Sequence, residues 1–419
     1  MKRIVLVVMV VLAATLAISC GASNGKVQLT FLEVLTSPER TAMINGIIAD
    51  YEKLHPNVTI NLISPPYESA DNKLTMMLNN DEKLDIIEVR DYTLRQFVNN
   101  KKLENLEKRL AAWSEGKDLL PIALASARTA DNIAYIIPQF FYIKALFVRT
   151  DILAAKGITV MPKTFDELIA DCKKVTNKKK GQFGFDWRGK SSEFKFSDLI
   201  QLSDVPNIDP NNIYKTADGA FSLATPEAQA ALVKYVNLFK DSVPSDGINW
   251  GFNEQVNAFI SGVTPFLIQD PDTVSLVDKQ LGRDKYTVIP LPVGKSGKAV
   301  VDYGFASLGI PSYSKHKDAA WDFIKFFSSA KENAAFCKQY GPLPVHASTY
   351  ADDPFFSTGV YQAWRTEMSD QDHYLFVKYP LGSEKWPAWP QTHEQTMQSL
   401  LLGKISPTEA TAKFADYWK

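Results

Sequence analysis

The sequence predicts an α/β protein built as two domains, and three observations carry that reading. Strand-like and helix-like stretches alternate in a β-α-β rhythm from residue 26 onward. Strands followed by an amphipathic helix return near residue 285, after a long aromatic-rich middle section. With the apolar start set aside, about 400 residues remain, more than one hydrophobic core usually organises.

The chain opens with Lys2 and Arg3, runs without a charge from Ile4 to Leu16, and closes that run with small residues around Cys20 in "LAISCGAS". This is the layout of a secretory signal, so residues 1–19 are expected to take no part in the fold. A signal cut needs small side chains but has no use for a thiol. Ala17-Ile18-Ser19-Cys20 resembles a bacterial lipobox, with the usual leucine displaced to Leu16. The resemblance implies an acylated Cys20, a lipidated linker over 20–25, and an exported chain held at the periplasmic or outer surface of a membrane by several acyl chains, since one alone binds only marginally. The alternatives are a plain signal with an incidental cysteine, or an uncut anchor, because Ile4 to Ser23 just reaches the ~20 residues that span a bilayer.

"KVQLTFLEVL" (26–35) reads as a buried strand, and Ser37 with Pro38 as a cap and first helical residue. Ile44, Ile47, Ile48 and Tyr51 recur at helical spacing until "LHPN", after which Val58, Ile60 and Leu62 alternate as a strand. The helical "SADNKLTMMLNND" leads to a third strand, "LDIIEV" (84–89), so three parallel strands are expected with both faces covered. Open parallel sheets bind ligands beyond the carboxyl ends of their strands, here the loops "TSPE" (36–39), "SPPYES" (64–69) and "RDYT" (90–93). "IAYIIPQFFYIKALFVRTDIL" then joins two apolar strand-like runs through a proline and three aromatics. "PKTFDELIADCKKV" is a helix with Thr164 and Glu167 as a capping box. "KYTVIPLP" and "YGFASLGIP" are strands, "DAAWDFIKFFSSA" is an amphipathic helix with Trp321 and Phe323 on its core side, and the end is mostly helical.

The chain carries 46 Lys and Arg against 47 Asp and Glu, and without Lys2 and Arg3 the formal balance is about −3. That argues against nucleic acid as a partner. Cys172 and Cys337 each sit in a helix-like stretch, where a small buried side chain is the default and a single bridge the alternative. No C-x-x-C or H-E-x-x-H occurs and the five histidines do not pair at ligand spacing, so no metal and no cofactor are expected. No G-x-S-x-G or P-loop occurs either, which argues against an enzyme. The enzymatic alternative is an exported glycosidase using two carboxylates, Asp270 with Asp272 or Asp91 with Asp302.

Seven segments in order, "LTFLEVLTSPERTAMINGIIADYEKLHPNVTINL", "LDIIEVRDYTLRQFVNNKKLENL", "IPQFFYIKALFVRTDILAAKGITVMPKTFDEL", "GVTPFLIQDPD", "YGFASLGIPSYSKHKDAAWDFIKFF", "GPLPV" and "GKISPTEA", span nearly the whole chain after residue 26. Together they resemble the extracellular solute-binding proteins of ATP-binding-cassette importers, in the sugar-binding group that includes maltose-binding protein. The resemblance implies a periplasmic-binding-protein-like fold, two α/β lobes joined by a hinge with a ligand cleft between them. Lobe 1 would comprise 26–140 plus 286–330 and lobe 2 141–285 plus 331–419. The chain would cross near Phe140 to Ala145, return near Asp272 to Tyr286 and cross again near Ser328 to Gly341. It further implies a monomer that closes around a small-molecule solute and presents it to transmembrane permease subunits. A chemoreceptor or adhesion role on the same fold is a rival that the sequence does not address.

Sugars offer flat apolar faces and many hydroxyls, so their sites combine aromatic platforms with carboxylates, amides and hydroxyls. The expected cleft residues are Thr36 and Ser37 after the first strand, Asp91 and Tyr92 after the third, and Phe141 and Tyr142 at the first crossing. "FDWRG" adds Trp187 and Arg188, "NWGF" adds Trp250, "VDYGF" adds Asp302 and Tyr303, and "KWPAWP" adds Trp386 and Trp389. These four tryptophans are flanked by glycine, proline or polar residues, so each either lines the cleft or pins its loop to the body. Relatives often carry a glycine and an aromatic where "LIQDPD" here places Gln269, Asp270 and Asp272. Those carboxylates favour hydroxyl-rich or cationic ligands, whereas Arg90 and Arg188 favour an acidic sugar. Neutral oligosaccharide, uronate-containing sugar and polyol all stay open, and the broad family also includes binders of phosphate esters, polyamines and thiamine.

Overall fold

Buried apolar residues convert the first run into strand β1 (Val27–Leu32). The protein is described by a computed structural model over residues 26–128, 132–190 and 193–419; the expected signal, Cys20 and the linker lie outside the described residues. Ser37 starts helix α1 (Pro38–Leu54): its hydroxyl accepts from the Arg40 amide at 3.2 Å, and Pro38 sits in the first turn, where its missing N–H is no loss. The chain returns as β2 (Val58–Ile63), and α2 (Ala70–Asn79) leads to β3 (Ile86–Arg90) and directly into α3 (Asp91–Asn99). β1 pairs in parallel with β2 along its whole length and with β3 at Phe31↔Ile86 and Leu32↔Ile87, so all three strands end at one edge.

β4 (Ile136–Ile143) and β5 (Ala145–Val148) form one extended run interrupted at Lys144, and there the chain changes sheets. The helices α4 (Phe165–Val175), with its Thr164–Glu167 capping box, and α5 (Glu193–Leu202) follow in the second lobe. β5 is the centre of a three-stranded sheet, antiparallel to both β6 (Phe266–Gln269) and β7 (Thr287–Ile289). β8 (Ala299–Gly309) links the lobes again. Its Ala306–Gly309 half pairs with β3 and β4, while Ala299–Asp302 pair with β9 (Tyr374–Val377). Trp321 and Phe323 of α6 (Lys317–Phe327) are buried as expected, and Cys172 and Cys337 are buried free thiols.

The chain first changes sheets at Ile143 to Ala145, and the return lies later than the expected residues 272–286. β7 hydrogen-bonds to β5, so residues 286–289 stay with the second sheet, and the return is made along β8 at Asp302 to Phe305. The helix α7 (Ala330–Tyr340) then packs on α1 and β4. Leu343 exchanges backbone hydrogen bonds with Phe141, and the Val345 carbonyl accepts from the Leu120 amide. Residues 331–345 therefore belong with the first lobe. An apolar strand or amphipathic helix shows in the sequence as a buried element, without saying which of two sheets will bury it.

Candidate functional site

Between the lobes lie two adjoining limbs of a cleft, which share part of their lining. The larger, about 670 Å³, reaches from Tyr67 and Tyr92 on the first lobe to Arg188 and Phe252 on the second, over a floor of Tyr303 to Phe305. The smaller, about 390 Å³, passes between Arg95 of α3, Asn211 and Asn212, and the strap 377–383 that follows β9. Asp91, Tyr303, Phe305, Tyr379 and Leu381 line both.

The first-lobe wall stands on a buried ionic network. Arg40 donates to Glu33 at 2.7 Å and to both oxygens of Glu88, all three residues being 2 % exposed or less. Glu88 in turn accepts from the amides of Val34 and Leu35 at 2.8 and 3.0 Å, which fixes the loop after β1 and turns Leu35 into the cavity. Next to it Arg90 donates to the Val34 carbonyl at 2.5 Å and to the Tyr92 hydroxyl at 2.8 Å, and its guanidinium lies 4.7 Å over the Tyr67 ring. The Tyr92 hydroxyl donates to Asp71 at 2.7 Å. Two exposed tyrosines are thus held in place at the rim. Asp91 opens α3 just inside; burial pushes its carboxyl above the usual range against the pull of Lys195.

The floor is charged but balanced. Lys144, at the β4–β5 junction, reaches Asp270 at 3.4 Å and Asp302 at 3.7 Å, and Lys195 of α5 reaches the other Asp302 oxygen at 3.5 Å. Burial alone would lower the Lys144 ammonium, but Asp270 and then Asp302 hold it above its usual range. Gln269 accepts from the Asp270 amide at 3.1 Å and donates to Gln255 at 2.9 Å, which donates to buried Asp186 at 2.8 Å. The Tyr142 hydroxyl donates to that of Tyr340 at 3.1 Å. Near that pair, burial and the charge of Asp270 push the Asp272 carboxyl up to about 7, and its Oδ1 has no hydrogen-bond partner among the described residues. Gly341, at φ 113°, lets the chain after α7 come against this corner; a Cβ there would stand 2.7 Å from the Asp272 Cα.

The structure brings Asp91, Tyr92 and Tyr142 to this cavity together with Arg188, Gln269 and Asp270. Asp272, Tyr303 and Trp386 line it as well, and Asp302 sits buried beside Tyr303 under the floor. Three expected residues are corrected to core. Phe141 is fully buried in β4. Trp187 packs 4.5 Å from Tyr235 and 5.7 Å from Phe239. Trp389 donates to the Tyr214 hydroxyl at 2.6 Å, enclosed by Phe414 and Trp418. Trp250 lies outside the lining and donates to Asp246 at 3.2 Å. Thr36 and Ser37 also fall outside it, because Leu35 is the loop residue that faces the cavity.

The sequence reading passed over Lys144, Lys195, Tyr67, Phe252, Tyr340 and the strap residues Tyr379 and Leu381. Lys144 had a signal: a lone lysine inside "FFYIKALFV" must find buried acids. Tyr67 lay in a loop already assigned to the cleft. The others come from distant segments without a local mark.

Residues 36–334 match the family described as bacterial extracellular solute-binding protein. A binding protein of Brucella abortus is 24% identical over 397 residues, 94% of this chain and 92% of its own. The Escherichia coli K12 ABC transporter periplasmic-binding protein YcjN is 26% identical over 352 residues, 78% and 77% of the two chains. Among solved structures, maltose-bound T. maritima MalE3 aligns with a TM-score of 0.75 at 22% identity, over 93% of this chain and 98% of its own. The GacH receptor of Streptomyces glaucescens, solved unliganded and with acarbose, gives 0.77 at 22% identity over 93% and 97%. A ribitol-bound solute-binding protein of Agrobacterium radiobacter gives 0.72 at 20% identity over 93% and 97%. These likenesses show the fold, two α/β lobes of the maltose-binding type. Among the described residues no helix is long and apolar enough to cross a membrane.

Proposed function

The chain belongs to the bacterial extracellular solute-binding proteins, and from that premise we propose that it captures a carbohydrate in the interlobe cleft and delivers it to the permease of an ATP-binding-cassette importer. One observation supports the carbohydrate above other solutes: the aromatic faces of Tyr67, Tyr92, Phe252 and Trp386 share a cavity with carboxylates, amides and cations. Flat rings stack on the apolar faces of sugars, while the polar groups meet their hydroxyls. An acyclic polyol, such as the ribitol held by the Agrobacterium radiobacter protein, would use the hydrogen bonds but little of the aromatic surface. The lobes meet at Lys144 and along β8, so hinge closure there would bring Tyr67 and Tyr92 toward Arg188 and Phe252. The closed rim is the surface a permease would read, with Cys20 acylated to keep the receptor at the membrane.

The test is a thermal-shift screen of the chain from residue 21 against saccharides, polyols, polyamines and phosphate esters. A ligand at 100 times its Kd adds about 2.7 kcal/mol, a readily seen rise in Tm. A rise with saccharides is the expected result; a blank across saccharides beside a polyamine or phosphate-ester hit would overturn the assignment.

A further inference from the structure

The cations of the cleft fall into two groups. Lys144 and Lys195 are answered by Asp270 and Asp302, and Arg90 by Asp71 at 3.4 Å, by Tyr92 and by the Val34 carbonyl. The side chains of Arg188 and Lys378 have no ion pair and no hydrogen bond with any described residue. Arg188 lies over the Phe252 ring at 5.7 Å in the larger limb, its Nε shielded from water and without an acceptor. Lys378, on the strap, lines the smaller limb with Asn211, Asn212 and Ser383, and the guanidinium of Arg95 adds a second positive charge there.

We infer that the solute is an acidic oligosaccharide, bound through one anionic group at Arg188 in the larger limb and a second at Lys378 in the smaller. This rests on the carbohydrate reading and narrows it. A guanidinium accepts carboxylate, sulfate or phosphate oxygens in a two-pronged contact, and an ammonium takes them as a point charge beside the amides of Asn211 and Asn212. Leaving half-buried donors unanswered by the described residues is unfavourable, and an anionic group arriving with the ligand would answer them. Burial, aided at Lys378 by Arg95, holds both basic groups below their usual range, whereas the other basic side chains with a shift are held above it. The neighbouring acids supply the missing charge only in part: Asp270 and Asp272 attract the Arg188 guanidinium without reaching ion-pair distance, Asp270 and Asp302 are engaged by Lys144, Asp91 is drawn to Lys195, and Asp272 is pushed up to about 7. Two anchors in adjoining limbs that share Asp91 and Tyr303 suit a ligand of several sugar units.

The experiment is isothermal titration of the protein with di- to tetrasaccharide uronates of galacturonate, mannuronate and glucuronate type. Their methyl esters, sulfated and phosphorylated oligosaccharides, and neutral gluco-oligosaccharides are titrated in parallel. The expected result is at least a tenfold preference for one acidic class over its neutral counterpart, weakening as NaCl rises from 50 to 500 mM, with the preferred class naming the anion. In Lys378→Met and Arg188→Met that preference should collapse toward unity. Lys378 lies on a partly exposed strap, so its variant decides the matter if the Arg188 variant does not fold. Neutral oligosaccharides binding as tightly as the acids, or a preference unchanged in Lys378→Met, would overturn this inference and leave the carbohydrate reading standing. Failure of every saccharide, with a hit among polyols or polyamines, would overturn both.

Discussion

Arg40 and Arg188 are the same side chain in opposite circumstances. Arg40, beneath the first lobe's loop, meets Glu33 and Glu88, and aromatic rings of Phe140, Phe336 and Tyr340 stand 5.4 to 5.8 Å from its guanidinium. Arg188, on the second lobe's wall, has an aromatic ring beneath it and no acid within ion-pair distance among the described residues. The first arrangement is complete within the chain and fixes where Leu35 and the cleft wall stand. The second has no ion pair among the described residues, as expected of a surface that meets a ligand. Burial alone therefore does not separate structural from functional charge; the presence of an internal partner does.

Arg40→Met leaves Glu33 and Glu88 buried without their cation, and breaking such a pair costs about 3–5 kcal/mol of unfolding free energy, measured by urea denaturation. Arg188→Met removes an unpartnered charge from a partly buried site, so its stability should equal or exceed that of the native chain. If both variants lost stability alike, Arg188 would be structural and the contrast would fail.

Two tryptophans sharpen the same point. Trp187 is 2 % exposed and packed on Tyr235 and Phe239, so Trp187→Ala should cost about 3–5 kcal/mol of stability as a core truncation. Trp386 is partly exposed beside Tyr379 at 5.3 Å on the cavity wall. Trp386→Ala should leave the unfolding transition nearly in place and weaken saccharide binding by about 1–3 kcal/mol, read by calorimetry. Unchanged affinity would remove Trp386 from the site.

These tryptophans also mark how far the sequence could be read. Local signals were reliable: Ser37 and Pro38 start α1, Thr164 and Glu167 cap α4, and the apolar runs become the parallel strands β1, β2 and β3. Glycine and proline beside Trp187 and Trp389 suggested exposed loops. The rings that bury them arrive from residues far along the chain, Tyr235 and Phe239 for one and Tyr214, Phe414 and Trp418 for the other. The late return along β8 was hidden for a similar reason, since hydrophobic pattern specifies burial and not the neighbour. Asp91, Tyr92 and Tyr142 reached the cavity because topology places strand ends and crossings in a cleft, whereas the strap and Phe252 had no topological rule to point to them.

Asp272 lies between the two arginines in kind, and its expected effect is the smallest. Among the described residues its Oδ1 has no hydrogen-bond partner, and burial with the nearby Asp270 pushes its carboxyl from 3.8 up to about 7. A raised carboxyl means the folded chain keeps a proton that the unfolded chain has already released, so stability falls as pH rises from about 4 through about 7. Asp272→Asn stays neutral throughout. Its stability relative to the native chain should therefore climb across that window and level off above it, in urea unfolding at pH 4, 5.5, 7 and 8. A difference that stays flat would mean that Asp272 ionises like an exposed carboxylate and that the Tyr142–Tyr340 corner is open to water. A rising difference would show that the folded chain holds Asp272 protonated through burial and the charge of Asp270.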